Sequence, residues 1–198
     1  MRTRELGIAG AYEITPVVHG DDRGSFHEWF RADVLDGLTG GGFAPHSSAI
    51  AQANCSVSKA GTIRGIHFAQ VPPGQAKYVT CLAGAVVDVV VDLREGSPGF
   101  GRWEAVLLDD VDRRCLYVPE GVGHSFMALA DGSLVSYLCS TAYDPRREHS
   151  VNALDPEIGI EWPTTDRDGG PLEPLLSERD QAAPTLAEVR ARGLLSPS

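Results

Sequence analysis

The run from Ala85 to Leu93, AVVDVVVDL, restricts the fold more than any other segment. Valine loses χ1 freedom in a helix and packs well on a pleated surface. The run is also too short and too uninterrupted for an amphipathic helix, so it reads as a strand. Strand alternation sends Val87, Val89 and Val91 to one face and Asp88, Val90 and Asp92 to the other. The mixed second face is expected to line something polar. Similar short runs follow at Tyr78 to Leu82, Trp103 to Leu108, Leu116 to Val118, Phe126 to Leu129 and Leu134 to Ser140. Between them lie Ala83-Gly84, the turn Gly96-Ser97-Pro98-Gly99, and Asp109 to Asp112. Asp131-Gly132, flanked by apolar runs, predicts a hairpin. Many short strands with regular turns make a sandwich or barrel. No strand–helix rhythm supports a parallel sheet. A helix is expected near residues 32–38, stopped by Gly40-Gly41-Gly42. Another starts at Thr185, where Thr185 and Glu188 form a capping box and Gly193 is the stop.

A chain of 198 residues, 42% hydrophobic, can bury one core. We therefore expect a single domain over 1–198: N-terminal strands and a short helix in 1–50, the β-core in 51–150, and an extended tail packed on it in 151–198. Lys and Arg number 17 against 27 Asp and Glu, a net charge of −10. That balance disfavours nucleic acid, and an anionic ligand would need a locally basic site. The first residues carry no apolar segment of signal-peptide type. No apolar stretch is long enough to span a membrane. Cys55, Cys81, Cys115 and Cys139 form no CxxC pair; three of them lie in apolar or strand-like contexts, so buried inert thiols there and a reducing cytoplasm are expected.

Several chemistries are excluded by their missing motifs: G-x-S-x-G, the P-loop and G-x-G-x-x-G after a strand. What remains is polar residues set within strands. Arg64 and His67 interrupt the apolar run TIRGIHF, Lys77 stands at a strand start, and His124 follows PEGVG. Burying cations is costly unless they are paired or functional. Arg64, His67, Lys77 and His124 are thus expected to form a cationic pocket at the barrel mouth, suited to an anionic ligand. Tyr137 and Tyr143 share strand parity, which would set them roughly 20 Å apart along one face. Pro119-x-Gly121-x-x-His124 resembles the second cupin motif. The first motif would offer His67 alone, too few ligands for a mononuclear metal site.

The segments DDRGSFHEWF, TIRGIHF, PPGQAKYV, VVVDLREGSPGFGRWE, PEGVGHSF and REHSVNALDPEIGIEWP closely resemble, in order, the dTDP-4-dehydrorhamnose 3,5-epimerase family. The likeness runs from about Arg4 to Leu195. It implies an all-β, metal-free and cofactor-free cupin jelly roll. It also implies a homodimer that exchanges an N-terminal strand, and epimerisation of a dTDP-4-keto-6-deoxyhexose beside its ketone at C3 and C5; the alternatives are a C3-only or C5-only epimerase of a dTDP-4-keto-(amino)deoxyhexose, a metal-dependent cupin oxygenase, and a non-catalytic sugar-nucleotide-binding cupin. By resemblance, His67 is the base, Asp180 orients it, Lys77 stabilises the enolate oxygen, and Tyr137 returns a proton from the opposite face. Arg23 and Arg64 match diphosphate positions. Phe26, Glu28, Gln52 and Asn54 match positions around the nucleotide and sugar. Tyr143 is expected at the thymidine or sugar end, and His124 against substrate. Asp88 has no expected catalytic role beyond buffering Lys77. Where the family reads GxAHGF, this chain reads GVGHSF, with Gly123 and Ser125 as small pocket changes.

Overall fold

A computed structural model describes residues 1–44 and 49–197. The strands in order are β1 (Arg2–Glu5), β2 (Tyr12–Thr15), β3 (Val18–Asp21), β4 (Gly24–His27), β5 (Gln52–Ser58), β6 (Ile63–Ala69) and β7 (Lys77–Ala83). They continue with β8 (Ala85–Asp92), β9 (Trp103–Asp109), β10 (Cys115–Val118), β11 (Val122–Ala128), β12 (Ser133–Cys139) and β13 (Glu148–Ser150). The helices are α1 (Ala32–Thr39), α2 (Glu178–Gln181) and α3 (Leu186–Ala191). A six-stranded sheet, β1-β2-β10-β7-β12-β5, faces a five-stranded sheet, β13-β6-β11-β8-β9, while β3 and β4 pair only with each other. Ladders between named strands are antiparallel. This is a two-sheet sandwich, as the short β-branched runs predict, and the jelly roll that the resemblance implies.

The Asp131-Gly132 expectation needs correction. Gly132 does turn the chain, with φ +75°. However, β11 pairs with β6 and β8, whereas β12 pairs with β5 and β7. The turn therefore carries the chain from one sheet to the other instead of closing a hairpin. Gly84, at φ +76°, makes the same passage between β7 and β8. Tight turns fix a reversal of direction, and packing decides which edges hydrogen-bond.

Both faces of β8 are buried, which corrects the reading of its second face. Val86 and Val90 point between the sheets, where they meet Val79, Leu108, Phe126 and Val135. Val89 and Val91 point outward against Val151, Leu186 and Val189 of the C-terminal segment. Burial of each such side chain is worth roughly 1.5–3 kcal/mol. Asp88 and Asp92 lie on the inter-sheet face with partners of their own: Asp92 holds Arg94 and Ser97, and Asp88 holds His124 through Oδ1.

The C-terminal segment is stitched down at several points. The Ile63 N–H donates to the Leu175 carbonyl and the Leu175 N–H donates to the Gly61 carbonyl, both at 2.9 Å. The Leu186 N–H donates to a buried Asp155 carboxylate at 2.7 Å. α3 carries the predicted capping box: the Thr185 N–H donates to Glu188 Oε2 at 2.8 Å, and the Glu188 N–H returns to Thr185 Oγ1 at 3.3 Å. On the outer face of the larger sheet, α1 and the aromatic residues Trp29, Phe30 and Phe43 cover Tyr78, Cys115 and Tyr117. Gly40, with φ +81°, closes α1 as its sequence predicts.

Candidate active site

Strand β6 builds the centre of the site through an irregularity at Gly65. Its ladder with β11 shifts register between His124 and Phe126. Gly65 has φ +109°, and a Cβ there would sit 2.5 Å from the His124 carbonyl oxygen. Such a bulge changes which side successive residues face. Ile63, Ile66 and Phe68 all reach the outer core under the C-terminal segment. Arg64 instead crosses toward the opposite sheet, where its Nε donates to Ser58 Oγ at 3.1 Å.

The His67 imidazole is 36% exposed and its Nε2 lies 2.8 Å from Asp180 Oδ1, a carboxylate whose side chain is 8% exposed. Asp180 sits in α2, held by Ser177: the Asp180 N–H donates to Ser177 Oγ at 3.1 Å, and that hydroxyl donates to Asp180 Oδ2 at 2.8 Å. Burial alone would raise the Asp180 pKa. The hydrogen bond and charge of His67, with Ser177 and Arg179, outweigh it and leave the carboxyl below its ordinary value. An ionised carboxylate on Nε2 fixes the tautomer that leaves Nδ1 basic.

A cavity of about 290 Å³ opens beside this pair, lined by Gln52, Asn54, His67, Gln75, Lys77, Tyr137, Tyr143, Glu148 and Arg179. Lys77, the first residue of β7, is 6% exposed. Among the described residues no carboxylate forms an ion pair with it. A buried cation without a counter-charge is costly, and here it faces a cavity that an anion could enter. Burial raises the Tyr137 pKa, Cys139 and Glu148 add to the rise, and Arg64 opposes it. The phenol therefore stays a proton donor at neutral pH. A base held by a carboxylate, a cation and a protonated phenol around one cavity can remove and return a proton next to a carbonyl.

Several sequence expectations are redrawn by this geometry. The four-membered cationic pocket does not form: His67 and Lys77 line the cavity, but Arg64 and His124 do not. Arg64 is held outside it by Ser58 and the Val57 carbonyl. His124 is buried with its Nε2 2.7 Å from Asp88 Oδ1. Asp88, expected to buffer Lys77, pairs with His124 instead, and burial raises its pKa against the pull of that histidine. Tyr137 and Tyr143 do not lie along one strand, because β12 ends at Cys139. The chain beyond it still brings both residues to the same cavity. Arg23 and Phe26 line a separate surface groove, and Glu28 another. Within one chain none of the three reaches His67. Gln75, Glu148 and Arg179 line the cavity without having been singled out from sequence. Of these, Arg179 carried a usable signal in its place beside Asp180. Among the described residues, no three His, Cys, Asp or Glu side chains gather as a metal site, and no helix is long and apolar enough to cross a membrane.

Known proteins share the sequence and fold of this chain. Residues 5–188 match the family described as dTDP-4-dehydrorhamnose 3,5-epimerase. The enzyme of that name from Mycobacterium tuberculosis is 56% identical over 98% of this chain and 92% of its own. The solved rmlC epimerase of Mycobacterium tuberculosis superposes with a TM-score of 0.92 at 54% identity, covering 100% of this chain and 94% of that one. ChmJ, a 3'-monoepimerase from Streptomyces bikiniensis solved in complex with dTDP-quinovose, gives a TM-score of 0.88 at 49% identity, covering 97% and 91%. With a matching jelly roll, a histidine–aspartate pair at its cavity and sequence identity across its length, the chain belongs to the dTDP-4-dehydrorhamnose 3,5-epimerase family.

Proposed function

We propose that the protein epimerises dTDP-4-dehydro-6-deoxy-D-glucose at C3 and C5, with His67 as base and Tyr137 as acid. The observation that carries this reading is the convergence of His67, Lys77 and Tyr137 on one cavity, with Asp180 on the far nitrogen of His67. A proton α to a ketone becomes removable when the enolate oxygen meets a fixed positive charge, the role of Lys77. His67 Nδ1 takes the proton, and Asp180 stabilises the imidazolium that results. Tyr137 then protonates the carbon from the other face and so inverts it. Only protons move, so the cycle needs no metal and no redox cofactor.

Arg64, Gln52, Asn54, Tyr143 and His124 are read as binding the nucleotide sugar or shaping its pocket. Arg23, Phe26 and Glu28 are read as serving the site of a second copy in a homodimer. Strands β3 and β4 form an isolated ribbon in which Val18 and Phe26 are exposed, Phe26 by 66%. A two-stranded hairpin is marginal by itself, and its apolar side chains would be covered by a partner. The free thiols and the nucleotide-sugar substrate suit a cytoplasmic enzyme.

A second reading, inversion at C3 alone, is favoured by the likeness to the 3'-monoepimerase. One experiment separates the two. NMR of dTDP-4-dehydro-6-deoxyglucose with the protein in D2O is expected to show deuterium at both carbons and an L-configured product. Exchange confined to C3 would select the second reading, and no exchange at either carbon would reject both.

A further inference from the structure

We infer that Gln52 acts as a positioning residue that holds Tyr143 over the cavity by its main chain. This rests on the proposed function, because it assigns a role within the same site. Beyond β12 the chain is tied down at Ser140 and Thr141, and next at Arg147, whose carbonyl accepts from the Gln70 N–H at 3.0 Å. The Ser140 N–H donates to the Ala76 carbonyl at 3.0 Å, Gln75 Nε2 donates to the Thr141 carbonyl at 2.9 Å, and Thr141 Oγ1 donates to the Gly74 carbonyl at 2.8 Å. Tyr143 lies between the Thr141 and Arg147 ties and is 52% exposed. Among the described residues, its one hydrogen bond to another strand is from its own N–H to Gln52 Oε1, at 2.8 Å.

The Gln52 amide is in turn oriented from below. Its Nε2 donates to Asn54 Oδ1 at 2.8 Å, and Asn54 Nδ2 donates to Cys139 Sγ at 3.6 Å. Residues two apart on a strand share a face, so β5 presents the two amides as a chain running from Cys139, at the end of β12, to Tyr143. Reversing the Gln52 amide would set an N–H against the Tyr143 N–H and a carbonyl against Asn54 Oδ1. The chemistry of the partners thus selects one orientation. Both groups of the amide are used in this chain. Gln52 then affects a bound nucleotide sugar through the ring that Tyr143 presents.

The test is a double-mutant cycle read by dTDP binding, using the near-isosteric Gln52→Met, Tyr143→Ala and the two combined. Each single change is expected to weaken dTDP binding roughly ten-fold, the worth of one hydrogen bond or one ring contact. The double variant is expected to bind no more weakly than Tyr143→Ala alone. Multiplicative losses would mean that Gln52 touches the nucleotide directly, and wild-type affinity in Gln52→Met would mean that the tie is idle. Either result overturns the inference and leaves the substrate reading standing. Failure of the unmodified protein to bind dTDP would overturn both. Hydrogen exchange at the Tyr143 amide supplies a readout that needs no ligand. It should quicken about ten-fold in Gln52→Met, and unchanged exchange would again overturn the assignment.

Discussion

Asp180→Asn isolates the charge of the histidine–aspartate pair while keeping its shape. In the structure Asp180 Oδ1 meets His67 and Oδ2 accepts from the Ser177 hydroxyl. An asparagine can keep its carbonyl toward His67 and turn its NH2 toward Ser177, whose oxygen has a lone pair to receive it. The His67 tautomer then survives, and the loss is that of a charge-assisted bond becoming a neutral one. With the carboxylate buried and the imidazole 36% exposed, water screens part of the interaction. The change should cost the proton-transfer step about 1.4–2.7 kcal/mol, a 10- to 100-fold drop in rate. If the amide instead turned its NH2 toward His67, the wrong tautomer would be held, and the loss would approach the roughly 10⁴-fold seen for such a swap in a serine protease. Deuterium incorporation under saturating substrate measures the step, and dTDP affinity measured by calorimetry checks that binding is kept. A rate within about threefold of the unmodified protein would refute the account, since a charge-assisted bond is worth more than that. So would a rate loss matched by an equal loss of dTDP affinity.

Three further outcomes follow from the geometry. Burial raises the pKa of Tyr78 and Tyr117 far above the ordinary phenol value, so an ultraviolet titration of the folded protein to about pH 10.5 should leave these two of the five phenols protonated. Unfolding at that pH should release them, and full ionisation of all five in the folded state would contradict the structure. Gly65→Ala forces a side chain into φ +109° and against the His124 carbonyl. It should cost roughly 2–4 kcal/mol and lower Tm by about 5–15 °C, and an unchanged melting curve would show that the bulge is not as described. Mixing His67→Asn chains with Phe26→Asp chains tests the shared site. If the hairpin serves the partner, half the dimers carry one intact site and about a quarter of the wild-type rate returns, whereas no recovery would confine each hairpin to its own chain.

The elements legible in the sequence were those whose signal is local. Valine content alone marked β8, and the Thr185–Glu188 capping box and the glycines after α1 marked two helices. What escaped was set by distant contacts. Asp131-Gly132 announces a turn, but its two neighbours joined different sheets because each had a better-matched ladder elsewhere. The parity rule placed Tyr143 far from Tyr137 by assuming that β12 continued past Cys139. The bulge at Gly65, which turns Arg64 and His67 to the same side, left no trace beyond a glycine inside a strand. Gln75 and Glu148 looked like ordinary polar residues near strand ends. His67, Lys77, Tyr137 and Asp180 stood out together only through likeness to a family, because no local pattern links positions so far apart.

The separation between His67 and Asp180 also shows what the C-terminal segment contributes. The two residues are 113 positions apart, and nothing in β6 by itself would place a carboxylate on the imidazole. The alternation of β6 supplies the link. Ile66 and Phe68 face outward and bury themselves with Val151, Ile158 and Leu172, while Leu175 pairs with Gly61 and Ile63 at the head of the strand. Only a few residues later α2 delivers Asp180, its approach fixed by the Ser177 cap. The apolar side of β6 thus anchors the same segment that supplies the partner of its polar side. Apolar burial in the outer core sets the distance between His67 and Asp180, so a loss of packing there would reach the chemistry as a misplaced carboxylate before it reached it as an unfolded chain.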